Sequence, residues 1–284
     1  MVPALLWQAR HAWPYLELTG QVAQESQYTG GRLLFLPLML VMAGVLGAVL
    51  LLVGLYALLR SDSLRPYRFL APAFILLVIV FIVTSGRPYY PGGMFAVVFA
   101  AGAVAVEHFR RRRIRWVAMP LGAIAVAVVI TSLPFTPETK IPEPTSEVEA
   151  GLRISVYGQF GWPEMTLAVE ESIAALPPAD HPAAIVTNSY WQAAALDYYG
   201  SRLPPVYSPA RGYGFFGRPA DSATTVLWIA DADDPAATDM CTSSRTLRSV
   251  HHRIGMPGAS TDVDIRLCHA RAPWSQLWPD LRRM

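Results

Sequence analysis

The chain has 284 residues, of which 53% are hydrophobic and only 15% charged, against the roughly 25% charged that is usual for soluble domains. Up to Pro134 it carries eleven basic and four acidic residues, and beyond that point twelve basic and seventeen acidic, so the net charge of +2 joins a basic half to an acidic half. This split places the halves in different environments and excludes a nucleic-acid footprint, which needs clustered Lys and Arg with interleaved aromatics on one soluble face.

Residues 1–32 open the chain without the basic region and apolar run of a cleaved signal peptide. Within them Trp7, Gln8, Arg10, His11, Trp13, Pro14, Tyr15 and Glu17 form an aromatic and polar segment. Such a segment suits the headgroup level of a bilayer, where Trp and Tyr present an apolar body and a polar tip.

Four runs follow that contain no Asp, Glu, Lys or Arg: Leu33 to Leu59, Phe69 to Gly86, Pro88 to Val106 and Val117 to Leu133. At 1.5 Å per residue the shortest reaches about 26 Å, close to the roughly 30 Å hydrocarbon core of a bilayer. Four such helices in a row leave no polar face to solvate a soluble bundle. The loop after the first run carries Arg60, Arg65 and Arg68, and the loop after the third carries Arg110, Arg111, Arg112, Arg113 and Arg115. The tip between the second and third has only Arg87. By the positive-inside rule the Arg-rich loops are cytoplasmic, and the head, the Arg87 tip and everything after the fourth run lie outside. The scarcity of lysine, represented by Lys140 alone, and the abundance of Ala, Arg and Pro suggest a bacterial source, so the expected location is a bacterial plasma membrane with both termini extracytoplasmic.

Residues 135–150 read as a linker, because Pro137, Pro142 and Pro144, following Pro134, forbid a continuous helix. Residues 151–284 read as a small α/β domain. Pro163 to Leu176 predicts an amphipathic helix with Pro at a first helical position, and it places Met165, Leu167, Ala168, Ile173 and Leu176 on one side. Pro182 to Thr187 and Thr224 to Ile229 predict strands. Between them Asn188 or Ser189 caps a helix over Tyr190 to Tyr199 that Gly200 ends. The chain is therefore expected to be a membrane α-helical protein of four transmembrane helices followed by a small α/β extracytoplasmic domain. Cys241 and Cys268, the only cysteines, both fall in that domain, and an oxidising compartment favours their disulfide over two free thiols. With His251 and His252 they do not reproduce the paired spacing of a zinc site, so no metal is expected.

No phosphate-binding loop, Gly-rich dinucleotide turn, nucleophile elbow or H-E-x-x-H pair occurs, and no cofactor is expected. Chemistry is expected at the outer interface, where the head meets Gly86, Arg87, Pro88, Tyr89, Tyr90 and Pro91. An Arg on the side where positive charge is disfavoured calls for a partner. A lipid phosphate suits it, since guanidinium pairs bidentately with phosphate oxygens and Tyr hydroxyls add hydrogen bonds. Snorkelling to membrane lipid headgroups beside belt tyrosines is the other reading. The loop Arg211 to Gly217, with three glycines and three aromatics, reads either as an ordinary surface loop or as a flap able to stack on a sugar ring.

The head W-Q-x-x-x-x-W-P-x-L-E-L at Trp7 to Leu18 resembles a segment of the bacterial glycosyltransferase family 39 proteins. These are GT-C enzymes akin to protein mannosyltransferases and lipid A aminoarabinose transferases. G-R-P-Y-Y-P at Gly86 to Pro91, followed by an Ala-rich span ending in Glu107, is similar to that family's G-K-P-Y-Y segment, with Arg for Lys. Phe160 to Glu164 and Asn188 to Tyr190 resemble parts of its C-terminal domain, in the same order. The resemblance implies transfer of a sugar from a polyprenyl-phosphate carrier to an acceptor at the outer face. The donor's contacts are expected at Arg87, Tyr89, Tyr90, Trp7, Gln8, His11, Trp13 and Glu17. In the family the acidic base lies on a first outer loop that has no counterpart here. The chain is thus expected to be a C-terminal half completed by an N-terminal half, and no catalytic residue is assigned within it. The alternative expectation is a non-catalytic membrane-anchored module whose outer domain binds a glycan or an envelope partner. A transporter is disfavoured by spans without ionisable residues.

Overall fold

The computed structural model describes residues 2–27, 31–108, 112–133, 135–231, 234 and 239–283. Arg110, Arg111 and Pro134 lie outside the described residues, as do the side chains of Arg112, Arg113 and Arg115. The chain forms two compact units, Met1–Phe135 and Thr136–Met284.

The first unit is helical. Helices α1 (Val2–Arg10) and α2 (Pro14–Gln27) form the head. They are separated by a turn in which Ala12 and Trp13 both take left-handed backbone angles, with φ of 60° and 58°. Helix α3 (Gly31–Arg60) is followed by α4 (Leu70–Val83), α5 (Phe95–His108) and α6 (Arg112–Ser132). Among the described residues three stretches are long and apolar enough to cross a membrane: Gly31–Arg60, Arg65–Val83 and Tyr90–Glu107. In α6, the fourth expected span, the apolar stretch is Met119–Ile130. The helices are shorter than the charge-free runs at the tip between α4 and α5. Arg87 and Pro88 lie outside helix, and Tyr90–Met94 is a 3-10 turn, since Pro88, Pro91 and two glycines cannot propagate an α-helix. Helix α3 also breaks at Gly44, whose φ of 73° and ψ of 166° are open to glycine.

Helices α3 and α5 pack through small residues. A Cβ on Gly54 would stand 2.0 Å from the Val98 carbonyl oxygen, and one on Gly102 would stand 2.3 Å from that of Leu50. Close backbone approach of this kind is how helices associate in lipid, where burial of apolar surface gives no net drive. Phe35, Met39, Leu51, Phe74 and Val98 fill the interior, while Leu33, Val41, Tyr56 and Leu76 point outward, as side chains facing hydrocarbon do.

The second unit is a five-stranded sheet with helices on both faces. Helices α7 (Glu147–Leu152), α8 (Ile154–Tyr157) and α9 (Trp162–Ala174) precede β1 (Ala184–Thr187). Helix α10 (Tyr190–Tyr199), β2 (Val206–Tyr207), β3 (Thr225–Asp231), β4 (Cys241–Val250), β5 (Val263–Ala270) and α11 (Trp274–Leu281) complete it. The sheet order is β2-β1-β3-β5-β4, with β1 parallel to both β2 and β3, and β5 antiparallel to both β3 and β4. The linker folds with this unit. Ile141 is buried, and Arg253 donates to the carbonyl oxygens of Ile141 and Glu138.

Both faces of the central strands are covered, which is why β1 and β3 read as continuous apolar runs. Ile185, Leu227, Ile229, Ile265 and Leu267 meet Met165 and Val169 of α9 and Leu196 of α10. On the other face Val186, Val226, Trp228 and Cys268 meet Trp274, Leu277 and Trp278 of α11. Each such side chain contributes about 1.5–3 kcal/mol of burial. The expected inward face of α9 needs one correction. Leu167 is 54% exposed, and Val169 takes the core position, because helical spacing from Met165 runs through 168 and 169 and leaves 167 on the opposite side. Ser189, not Asn188, caps α10, and its capping box with Gln192 satisfies two backbone donors. The bridge between Cys241 and Cys268 is formed, with Cα atoms 5.6 Å apart.

Substitution of Gly54 or Gly102 by Leu is expected to force α3 and α5 apart and to cost at least the 1–3 kcal/mol typical of overpacking. Gly122→Ala, where a Cβ meets nothing within 4 Å, is expected to be neutral; thermal unfolding in detergent checks both. Removing the disulfide by Cys241→Ser with Cys268→Ser should lower the second unit's Tm by roughly 10 °C, since a bridge spanning 27 positions stabilises by roughly 3–4 kcal/mol. Calorimetry reads this directly.

Candidate functional site

The tip between α4 and α5 is organised around Arg87. Its Nη2 forms an ion pair with the Glu25 carboxylate on α2, the side chains being 29% and 38% exposed. Glu25 was not among the expected site residues, yet the signal was there. The first half holds few acidic residues, and an Arg at a span end needs a partner. Ser26 on α2 and Arg32 at the start of α3 also reach the tip. Ser26 Oγ donates to the Ser85 carbonyl oxygen at 2.9 Å. Arg32 Nη2 donates to the Val83 carbonyl oxygen at 2.7 Å, and its Nε donates to Ser85 Oγ at 3.0 Å. These bonds close the end of α4, where carbonyls lack helical partners.

Tyr89 and Tyr90 meet edge to face with centroids 5.1 Å apart, and Tyr90 packs against Phe81 at 5.2 Å. Both tyrosines are exposed. Of the expected site residues in the head, Trp7 and His11 stack at 4.3 Å, with His11 Nδ1 2.8 Å from the Trp7 carbonyl oxygen. Gln8 accepts from the Tyr15 amide at 3.0 Å through its side chain and from the Trp13 amide at 2.8 Å through its carbonyl. The turn is thereby held by Gln8 and presents Trp7 and Trp13 outward. Glu17 sits in the first turn of α2, where a carboxylate complements the helix dipole. The direct side-chain link between the expected head and tip clusters is therefore made from α2's last turns, through Glu25 and Ser26, and not through Glu17.

The second unit holds a cleft of about 510 Å³ between α8, the turn after it and α10, lined mainly by aromatic and apolar side chains including Ile154, Trp162, Trp191, Tyr198 and Tyr199. Trp162 is fixed by its Nε1 donating to the Gly158 carbonyl oxygen at 2.8 Å. The loop Arg211 to Gly217 is not a free flap. Arg211–Phe215 is a 3-10 turn, Trp278 Nε1 donates to the Gly214 carbonyl oxygen at 3.2 Å, and Arg282 stacks on Phe215 at 4.6 Å. The Tyr213 hydroxyl donates to Asp197, and burial, reinforced by that carboxylate, holds its pKa above the usual tyrosine range. Phe216 is exposed and meets the Tyr213 ring edge to face at 5.2 Å.

His251 pairs with Asp262. Cys241 and Cys268 are consumed by their bridge, and among the described residues no group of three or more His, Cys, Asp or Glu gathers to hold a metal ion. No family model, curated protein or solved structure matches the chain.

The hydrogen bond that the His251 ring donates to the Asp262 carboxylate, with that carboxylate's charge second, raises the His251 pKa above its ordinary 6.5. The pair's contribution is therefore complete below the unfolded pKa and lost as pH rises through the folded one. The Tm difference between the native chain and His251→Asn is expected to be largest below about pH 6.5 and to vanish at higher pH; a pH series of melting curves measures it.

Proposed function

We propose that this chain is part of a membrane glycosyltransferase that moves a sugar from a polyprenyl-phosphate carrier to an acceptor at the outer face of a bacterial plasma membrane. In this reading α6 is a fourth span, the Arg-rich ends of the helices are cytoplasmic, and the Arg87 tip is extracytoplasmic. The observation that carries the reading is the Arg87 guanidinium, held at a span end by a half-exposed carboxylate, with the exposed Tyr89 and Tyr90 two and three positions further along the same tip.

An ion pair this exposed contributes about 0–1 kcal/mol, so a phosphate displaces Glu25 at little cost. Phosphate offers the guanidinium two parallel charge-assisted hydrogen bonds, each stronger than a neutral one. In this reading Tyr89 and Tyr90, on the same tip, add hydroxyl donors. When the bond between the anomeric carbon and the carrier's phosphate oxygen breaks, charge returns to that phosphate, and a fixed cation there stabilises the departing group. The acceptor hydroxyl must lose its proton to a carboxylate, and this reading takes that base from outside the chain. Trp7 and Trp13, at the outward face of the head, suit headgroup-level contact with the carrier.

The full chain in nanodiscs, titrated with a short polyprenyl phosphate, tests the assignment. Arg87→Ala is expected to weaken binding at least about tenfold, the equivalent of 1.4 kcal/mol for a lost charge-assisted contact. Arg87→Lys should fall between, and Glu25→Gln should tighten binding. Equal binding by Arg87→Ala, or equal binding of the unphosphorylated alcohol, would remove the phosphate-binding role.

A further inference from the structure

The second unit leaves an apolar face uncovered. Tyr198 is 80% and Leu152 78% exposed, and Val148, Ile154, Trp191 and Tyr199 are exposed with them. These residues lie on α7, α8 and α10; Ile154, Trp191, Tyr198 and Tyr199 line the cleft, and Val148 and Leu152 lie on α7 just before α8. Scattered exposed apolar residues are ordinary, but a cluster of this kind around an apolar cleft marks an interaction surface. Its composition is that of a membrane-interface belt: Trp and Tyr, whose rings are apolar and whose tips are polar, beside Leu, Ile and Val. The side chains lining the cleft contain no Asp, Glu, Lys or Arg, as hydrocarbon requires and as a charged ligand does not.

The chain itself brings a bilayer within reach. Helix α6 ends at Ser132, and Glu138 and Ile141 are already fastened to the second unit by Arg253. The connection between Ser132 and Glu138 spans at most about 20 Å when fully extended, at 3.3–3.6 Å per residue. Helix α7, which carries Val148 and Leu152, begins soon after it. A surface tethered this tightly to membrane helices experiences lipid at high effective concentration, so a weak affinity suffices for occupancy.

We propose that the face formed by α7, α8 and α10 docks on the surface of the phospholipid bilayer, with Trp191, Tyr198 and Tyr199 at headgroup level and acyl chain ends entering the cleft. The assignment rests on the reading of α6 as a fourth span and does not use the sugar-transfer chemistry. Docking fixes the second unit against the membrane at two places, its covalent link and its aromatic face, and so restricts its tumbling.

Photolabelling tests it. The full chain is reconstituted in nanodiscs of phosphatidylethanolamine and phosphatidylglycerol containing a phospholipid with a diazirine at the acyl terminus. Adducts are then mapped by mass spectrometry. Adducts are expected on residues 191–199 and 152–159 as well as on α3, α4 and α5, with none on the polar strand β4. Tyr198→Glu should reduce labelling of the cleft several-fold while leaving labelling of α3 to α5 unchanged. Leu152→Glu, at an equally exposed position, provides the same test without touching α10. Labelling confined to the membrane helices overturns the proposal, as does labelling of β4 equal to that of the cleft. A chain-to-chain adduct from a photoreactive residue at position 198 also overturns it, because a second copy then covers the face.

Discussion

A chain in hydrocarbon must satisfy every backbone hydrogen bond from within and keep its charges at the edges. The first unit keeps to the second rule in its described residues. Arg32, Arg60, Asp62, Arg65, Arg68, Arg87 and Glu107 all sit at helix ends or in turns, and α3 and α5 meet through Gly54 and Gly102 at backbone distance. With no water to drive apolar faces together, that close fit carries the packing. The Arg87–Glu25 pair follows the same rule, since it neutralises Arg87 at the α4 to α5 tip and draws α2 against it.

The second unit obeys a different physics. Its sheet is buried on both faces and cross-linked at its β4 and β5 side, as befits a domain whose stability comes from water. The sequence is acidic here where the helical unit is basic. Where one regime passes to the other, the Pro-rich stretch does not hang free: Arg253 fastens it to the second unit.

Much of this was legible in the residues. Charge-free runs mark α3, α4 and α5 because a span tolerates almost nothing else, and continuous apolar runs mark β1 and β3 because both their faces are covered. The box formed by Ser189 and Gln192 announces the start of α10. Strand β4 was not legible, because Cys241–Val250 is an edge strand of Ser, Thr and Arg with little buried surface, and propensity on such an edge says little. Strand β5 alternates Val263, Ile265 and Leu267 with polar residues, a period-two signal that could have been read. In the candidate site, Arg87 stood out as a lone cation at a span end beside two tyrosines. The need for a partner carboxylate was legible, but which one was not, because the tertiary fold, and not spacing along the chain, brings α2 against the tip 62 positions away.

The proposed topology, with Arg-rich ends in the cytosol and the second unit outside, underlies both the phosphate site and the oxidising environment of the disulfide. Its most direct test is labelling of intact cells with a membrane-impermeant maleimide at single cysteines introduced for Ser63, between α3 and α4, and for Ser222, before β3, both exposed. The account predicts that the cysteine at 222 reacts in intact cells and the one at 63 only after permeabilisation. Reaction at 63 with protection at 222 would contradict it.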